Sequence, residues 1–355
     1  MNIKNLLLLI PLLALTACSS DDGESDDSGN KRPASGVPID IEVSEAPLSD
    51  PEGAGTRAAI TYKNTLSQFY MKYLTTPPQK TYTEATASRT DADHKWETDA
   101  QWPSGVDADT PCYFYAYANV DYEGTDYSDF NYNINTNYSP DGQSLDFSID
   151  ELTNGQMDLL VATQTMSQNE NQTQHKPVHF QFHHACAALQ FSICKTEALS
   201  DFNVRVEKVV LHNIKKHGTY NFSNDSWSVN TDVPNDTYAN YTLASSTPMT
   251  VTTAQTLLAT SQDDYMFVIP QTVNKWNRSR YTIGSNDASG GPKAAYLEIK
   301  CSIIKGEKDY SDEGSVYLPF GDTWEMSMIH RYVIRMGTNL RDRAGWSVFT
   351  NTSNS

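Results

Sequence analysis

The chain has 355 residues, and its 26 basic and 44 acidic side chains give a formal charge of −18. This negative charge, with no basic cluster, excludes nucleic acid as a partner because a surface of that sign repels phosphates. The length exceeds that of one ordinary β-sandwich and favours two domains, and a hydrophobic content of only 38% disfavours an enzyme with a large core.

The first 18 residues have the pattern of a signal peptide. Lys4 supplies a positive charge, and residues 6–15 form an apolar run shorter than the about 20 residues of a membrane span. The run ends at Leu-Thr-Ala-Cys, which resembles a bacterial lipobox, so Cys18 is the predicted lipid attachment site. Two or three acyl chains such as palmitate make a stable anchor. A plain signal peptide with an incidental Cys is the alternative.

A tether, a short strand and a linker are predicted to follow. Residues 19–36 are acidic and rich in Ser, which predicts disorder. In residues 37–43 apolar side chains alternate with polar ones and Pro38, which is typical of a strand at a sheet edge. The remaining residues up to Arg57 are rich in Pro, Gly and acid and predict a linker accessible to proteases. The alternating apolar residues are Val37, Ile39, Ile41 and Val43.

The rest of the first half shows apolar runs of period two between polar or turn-forming stretches. Residues 120–138, rich in Asp, Asn and Tyr, predict a long loop or a polar hairpin, and residues 167–176 predict a polar loop. Strands are predicted at residues 60–62, 66–73, 112–119, 145–149 and 157–162.

Residues 177–194 predict a change of core within one β-rich run. The apolar side chains of residues 178–182 share one parity, and those of residues 187–193 have the opposite parity. Such an inversion indicates a bulge, or a strand that leaves one core and enters a second. We therefore place a boundary here between two β domains, residues 58–184 and residues 185–355.

The second half also shows short apolar runs of period two between polar or turn-forming stretches. No segment carries a sustained apolar stripe of period 3.6, so little helix is expected. The predicted fold class is all-β, with two tandem β-sandwiches of Greek-key character. Strands are predicted at residues 203–213, 218–222, 256–259, 265–269, 295–304, 315–319 and 330–336.

Reactive side chains are present but form no catalytic or metal-binding motif. His179 and His183 share one strand face but lie about 13 Å apart in an extended strand, so no metal site is predicted. There is no nucleophile elbow, phosphate loop or metalloprotease motif, so we predict no catalytic site, no enzymatic activity and no cofactor. Four further cysteines are interpreted as buried thiols, with one disulfide left open: Cys112, Cys186, Cys194 and Cys301.

Weak motifs along nearly the whole chain resemble, in their order, those of the fimbrillin family, the lipoprotein-precursor subunits of type V fimbriae. One departure is that the family usually has a Gly soon after the Trp at position 324, whereas residues 325–329 contain none, which leaves this turn open. The motifs are the lipobox at Cys18, TRA at 56–58, WP at 102–103 with FYAYAN at 114–119, DLLVAT at 158–163, HFQFHHACAALQFSI at 179–193, VVLHNIKKHGTYN at 209–221, VIPQ at 268–271, VYLPF at 316–320 and HRYVI at 330–334.

The resemblance implies two transthyretin-like β-sandwich domains and assembly by β-strand addition. Family members are exported as outer membrane lipoproteins and cut after an Arg, which releases the first strand and leaves an apolar groove for a strand of a neighbouring subunit. By resemblance, residues 37–43 would be the removable strand and Arg57-Ala58 the cleaved bond, with Arg32 and Arg89 as competing sites. The family's donor is a C-terminal strand, and the candidate donor residues here are Trp346, Val348 and Thr350. These residues are alternatively the last strand of the second domain.

The resemblance leads us to expect a stalk, tip or accessory subunit of a cell-surface fimbrium that acts in adhesion, with other fimbrial subunits as partners and surface ligands of host or bacteria beyond them. The alternative is a lipid-anchored surface protein that binds glycans and does not polymerise, because tyrosine rings offer a rigid apolar face on which sugars stack. The candidate glycan-contact residues are Tyr122, Tyr127, Tyr132 and Tyr138.

Overall fold

The described residues are almost entirely β-structure. The computed structural model describes residues 36–50, 66–75, 83–90, 94–121, 143–149, 157–229, 238–244, 248–258, 265–277, 283, 293–310, 315–337 and 346–350. They form strands β1 to β23, one short α-helix and one 3-10 helix, which confirms the all-β class and the small helix content. Within these residues no helix is both long and apolar enough to cross a membrane.

The first half of the chain builds a seven-stranded sheet. Its strands follow the order β1-β8-β7-β5-β2-β3-β4, so β1 and β4 are its edges. The elements are β1 (Ile41–Glu45), β2 (Gln68–Thr75), β3 (Thr83–Ser88), β4 (Glu97–Thr98), β5 (Cys112–Asp121), β6 (Ser144–Ser148), β7 (Met157–Met166), helix α1 (Gln168–Gln172) and β8 (Val178–His184).

The second half builds further sheets. One has the order β15-β9-β22-β23, with β16 also on β9, and another has the order β13-β10-β18-β19, with β14 on β10 and β20 on β18. A two-stranded sheet pairs β17 with β21. The elements are β9 (Ala187–Lys195), a 3-10 helix (Glu197–Leu199), β10 (Asn203–Lys215), β11 (His217–Asn221), β12 (Ser226–Ser228), β13 (Tyr238–Ala244), β14 (Met249–Val251), β15 (Thr256–Leu258), β16 (Met266–Val268), β17 (Thr272–Val273), β18 (Tyr296–Lys305), β19 (Lys308–Asp309), β20 (Ser315–Pro319), β21 (Asp322–Thr323), β22 (Ile329–Met336) and β23 (Ser347–Thr350).

Two hydrophobic cores are present. The first core covers one face of the seven-stranded sheet, where the ring of Phe69 lies 5.2 Å from that of Phe180 and 5.1 Å from that of Phe182. The second core joins the opposite face of that sheet, through residues such as Leu159 and Val161, to the sheets of the second half.

The inversion of parity within residues 177–194 is a change of core, as predicted. Val178, Phe180 and Phe182 in β8 belong to the first core, and the apolar residues of β9 belong to the second. Ala185 and Cys186, between the two strands, are also buried in the second core. The two halves share a sheet as well, because β6 pairs with β11 in the three-stranded order β12-β11-β6.

Three expectations need correction. Residues 167–176 contain helix α1 instead of only a loop, because Ser167 and Glu170 form a complete capping box. The strand expected at residues 37–43 is β1, Ile41–Glu45, preceded by a single bridge from Pro38 to Gln101. Strand β5 continues to Asp121, past the predicted start of the polar loop.

Other predicted strands lie close to their expected positions, among them β2, β5, β6, β7, β10, β18, β20 and β22. The strand expected at residues 60–62 falls outside the described residues. Cys112, Cys186, Cys194 and Cys301 are buried and outside any disulfide, as the sequence predicts.

Candidate functional site at the N-terminal strand

Strand β1 is held in the sheet through one neighbour. It pairs in parallel with β8, in a register that sets Ile41 opposite Val178 and Glu45 opposite Phe182. Backbone hydrogen bonds continue at both ends, from the N–H of Val178 to the Asp40 carbonyl (2.8 Å) and from the N–H of Ala46 to the Phe182 carbonyl (2.7 Å). Among the described strands β8 is the only sheet neighbour of β1, so β1 is an edge strand.

The inward side chains around β1 complete the first core. Ile39 and Ile41 are 5% and 7% exposed and pack in that core, and Val43 is half-buried against it. Val37, predicted to belong to the same apolar row, is 37% exposed. Full burial of an isoleucine side chain contributes roughly 1.5–3 kcal/mol, so Ile39 and Ile41 are the main apolar anchors of the segment.

Polar side chains of helix α1 hold the start of this segment. Asn171 is buried, and its side chain bonds to both backbone groups of Asp40. The same Oδ1 accepts a hydrogen bond from the indole N–H of Trp102 at 3.1 Å. Gln172 Nε2 donates to the carbonyl of Pro38 at 2.8 Å. Two side chains in the last turn of helix α1 therefore position the residues that lead into β1.

Three ionisable side chains meet where β1 and β8 end. Asp158 contacts the Nδ1 of His184, and the Oε1 of Glu45 lies 3.4 Å from the Nε2 of the same ring. Burial by itself lowers the pKa of His184, but the two carboxylates outweigh burial and raise the pKa to about 9. His184 is therefore a buried cation at neutral pH, with a carboxylate at each ring nitrogen.

After β1 the segment crosses from the first core to the second. Leu48 is buried in the second core, and Ser49 forms a parallel bridge with Met328. The N–H of Ser49 donates to the carbonyl of Ser327 at 2.6 Å, and Asp50 forms an ion pair with Arg331 in β22. Residues 36–50 are therefore bonded to both parts of the chain.

The segment that crosses between the cores contacts the turn between β21 and β22. Ser327 has a φ of 57°, in the left-handed region that favours glycine, and it is one of residues 325–329, which contain no Gly. Its hydroxyl donates to the carbonyl of His184 at 2.7 Å, and its N–H donates to the carbonyl of Cys186 at 3.1 Å. Those bonds join the turn to the connection between β8 and β9.

The candidate donor strand is bound within its own chain. Strand β23 pairs antiparallel with β22, in a register that sets Val348 opposite Ile334 and Thr350 opposite Tyr332. Trp346 is buried in the second core and its indole N–H donates to the carbonyl of Gly337 at 3.1 Å. Residues 346–350 therefore form an edge strand of the second half, the alternative that the sequence left open.

The other predicted site residues lie outside the described part of the chain. These are the lipid attachment site Cys18, the cleavage site Arg57-Ala58 and the glycan-contact candidates Tyr122, Tyr127, Tyr132 and Tyr138.

The clustered histidines have separate partners. His179 Nε2 lies 2.8 Å from Ser44 Oγ, and His183 Nε2 lies 2.9 Å from Asp225 Oδ1. Across the described residues no group of three or more His, Cys, Asp or Glu side chains is arranged to hold a metal ion. The histidines therefore hold strand ends and turns in place.

One surface group combines Ser, His and an acid without the geometry of a nucleophile. Ser315 Oγ donates to Glu298 Oε1 at 2.6 Å, and His212 Nε2 lies 2.8 Å from Glu298 Oε2. The carboxylate thus lies between serine and histidine, whereas serine hydrolysis needs the histidine beside the serine hydroxyl.

Sequence reasoning missed Asn171, Glu45 and Ser327 as site residues. A signal for Asn171 was available, since Ser167 and Glu170 have the spacing of a capping box. For Glu45 the signal was its parity, because it continues the inward row of Ile39, Ile41 and Val43. For Ser327 the signal was the lack of Gly in residues 325–329, which left this turn open.

A family model decides the relationship of the chain to known proteins. The model of the fimbrillin-like family matches residues 56–340, which is most of the chain. The chain belongs to the fimbrillin-like family. No curated protein matches this fimbrillin-like chain significantly.

A solved structure shares the fold of this fimbrillin-like protein. A fimbrial protein from Bacteroides vulgatus is 15% identical, with a TM-score of 0.52, and the match covers 88% of this chain and 98% of that one. The tip fimbrial protein Mfa3 from Porphyromonas gingivalis, truncated at its C-terminus, is 12% identical with a TM-score of 0.39, covering 81% of this chain and 94% of that one. Membership of the fimbrillin-like family supports a role as a fimbrial subunit, implies a cell-surface location and points to a non-enzymatic role.

Proposed function

We propose that this protein is a stalk, tip or accessory subunit of a cell-surface fimbrium, made as an outer membrane lipoprotein and assembled by exchange of its first strand. In this proposal Cys18 carries the lipid, and an Arg-specific protease cuts between Arg57 and Ala58. A strand of a neighbouring subunit then takes the place of residues 37–45, of which residues 41–45 pair with β8.

The position of β1 is the observation that carries the proposal. As an edge strand it can leave without disrupting the pairing of central strands. Its departure would expose the backbone groups of β8 and the apolar surface that Ile39 and Ile41 cover. An open sheet edge beside apolar pockets binds an added strand, with backbone hydrogen bonds giving affinity and the pockets giving specificity.

The surroundings of Arg89 favour Arg57 as the cleavage site. The N–H of Arg89 donates to the carbonyl of Ser67 at 2.8 Å, and its Nε donates to the carbonyl of Leu66 at 2.9 Å. Its guanidinium also lies 4.9 Å from the ring centre of Trp96. Cleavage after Arg89 would require these contacts to open first, whereas Arg57 ends a Pro- and Gly-rich segment.

The donor strand assigned to this chain in the proposal is residues 346–350. Because β23 is an edge strand, it too can leave with the loss of one strand pairing. Its release would also remove Trp346 from the second core, so donation requires a partner groove that compensates for that loss.

N-terminal sequencing and mass spectrometry of the full chain, before and after an Arg-specific protease, test the proposal. We expect an acylated Cys18 before treatment, then a product that begins at Ala58, and SDS-resistant ladders after it. R57K should block the product, and R89K, the matched control, should leave it unchanged. A monomer that still begins at Cys18 would overturn the proposal in favour of the glycan-binding alternative. Cleavage without ladders would overturn strand exchange alone.

A further inference from the structure

Three buried ionisable groups lie at the end of the groove that β1 fills. The side chains of Glu45, Asp158 and His184 are 2%, 0% and 0% exposed, and they come from β1, β7 and β8 respectively. Glu45 continues the inward row of Ile39, Ile41 and Val43, so the groove is apolar over three positions and charged at the fourth.

Only one of the two carboxylates that face the ring nitrogens of His184 comes from β1. Asp158 at Nδ1 belongs to the central strand β7 and stays with the sheet. Glu45 at Nε2 belongs to the segment that the proposed cleavage removes. A further titratable group beside Asp158 is the thiol of Cys186, whose pKa burial and Asp158 both raise, so it stays neutral.

We propose that the β8 groove selects incoming strands by a carboxylate at the position of Glu45, two residues after the third apolar side chain of the inward row. This inference rests on the proposed function and names the chemistry of the partner strand. A strand with an apolar residue at this position would remove one of the two carboxylates that lie against the buried imidazole of His184, in a site that excludes water. A glutamine would keep the size and polarity of the side chain but not its charge.

The occupant that fits is therefore a strand from a different subunit that carries Asp or Glu at this position. Residues 346–350, the donor segment in the proposed function, contain no Asp or Glu, so this segment of a second copy places no carboxylate side chain at His184. The pattern thus disfavours a second copy of this chain as donor and favours a heterologous neighbour.

Peptide binding to the cleaved chain tests this inference. The full chain is treated with an Arg-specific protease, and labelled peptides with the sequence of residues 36–50 are then titrated onto it. We expect the E45Q peptide to bind about tenfold more weakly than the natural peptide, and the E45L peptide more weakly still. The E42Q peptide is the matched control because it removes the same charge from the exposed face, and it should change affinity less than twofold. Equal affinities of the E45Q and E42Q peptides would overturn the inference.

The uncut chain provides a second test that does not depend on cleavage. In the full chain, E45Q should speed hydrogen exchange of the amides of residues 41–45 about tenfold, and E42Q less than twofold. Unchanged exchange in E45Q would overturn the inference even if the protease removes nothing. Failure of the protease to release the segment, with the E45Q effect present, would overturn only the proposed function.

Discussion

Asn171 and Asp40 are joined by two hydrogen bonds that imitate the pairing of neighbouring strands. The N–H of Asp40 donates to Asn171 Oδ1 at 3.3 Å, and Asn171 Nδ2 donates to the Asp40 carbonyl at 3.2 Å. Asn171 Nδ2 also donates to the carbonyl of Lys176 at 2.8 Å. One buried side chain on helix α1 thus ties the N-terminal segment to the loop that leads into β8.

We expect N171A to lower the free energy of unfolding by about 2–4 kcal/mol, because a buried donor or acceptor that loses its partner costs about 1–3 kcal/mol and Trp102 and Asp40 both bond to this amide. Urea titration of the full chain measures the change. The matched control is Q172A, which removes an exposed bond to Pro38 and a bond to Asn171 Oδ1 but leaves the Asn171 amide in place, and it should cost less than N171A, about 1 kcal/mol. Similar losses in the two variants would contradict this role of Asn171.

Stability should fall as pH rises through the slightly alkaline range. The pKa of His184 is about 9 in the folded chain against 6.5 as its ordinary value, because Asp158 and Glu45 outweigh the effect of burial. A histidine with a raised pKa stabilises the fold fully below pH 6.5 and loses that contribution as pH rises through about 9. At about 1.4 kcal/mol per pKa unit, the loss is roughly 3–4 kcal/mol.

Urea titrations at several pH values between 6.5 and 9 measure this dependence. H184Q should flatten it, and E45Q should reduce it because one of the two carboxylates is gone. H183Q changes the neighbouring histidine, which pairs with Asp225 at the surface, and should leave the slope as it is. A slope that persists in H184Q would show that another group is responsible.

The ion pair between Asp50 and Arg331 should contribute measurable coupling between the N-terminal segment and β22. Both side chains are partly buried, and Arg331 Nε also donates to Gln190 Oε1 at 2.9 Å, which holds the guanidinium in place. A double-mutant cycle with D50A and R331A should give a coupling free energy of about 1–2 kcal/mol, between the values of exposed and buried pairs.

The pair formed by Lys300 and Glu207 is the matched control for this cycle. Its atoms are 2.9 Å apart, but both side chains are exposed, so its coupling should be smaller than that of Asp50 and Arg331 and should weaken with salt. If the coupling free energy of Asp50 and Arg331 is no larger than that of the surface pair, the ion pair does not hold the N-terminal segment on β22.

The turn at Ser327 combines a left-handed backbone with a hydroxyl hydrogen bond, and two substitutions separate these contributions. S327A keeps the unfavourable φ and loses the bond to His184, whereas S327G loses the bond but relieves the backbone. S327G should therefore be about 1 kcal/mol more stable than S327A in thermal or urea unfolding. Gly306 has a φ of 58° and open space around it, so G306A should cost about 1 kcal/mol through backbone strain alone. Equal stability of S327A and S327G would show that the turn carries no strain.

The strands of this protein were the most predictable part of the fold. Val178, Phe180 and Phe182 alternate with polar residues, and alternation determines both the strand and its buried face because successive side chains point to opposite sides. β3 was not predicted, since its sequence TEATAS contains no large apolar residue, and only Ala87 of its six residues is buried. Its place in the sheet depends on pairing with β2, which no local pattern encodes.

The sequence by itself determined the all-β class, the change of core after His184 and the edge character of the first strand. The tertiary structure alone decided that Glu45 meets His184, that Asn171 bonds to Asp40 and that Ser49 lies beside Ser327. The periodicity of apolar residues along a strand shows which of its faces is buried, because residues two positions apart lie on the same face. Contacts between distant segments depend instead on which sheet edges and cores those segments share, and only the folded chain brings them together.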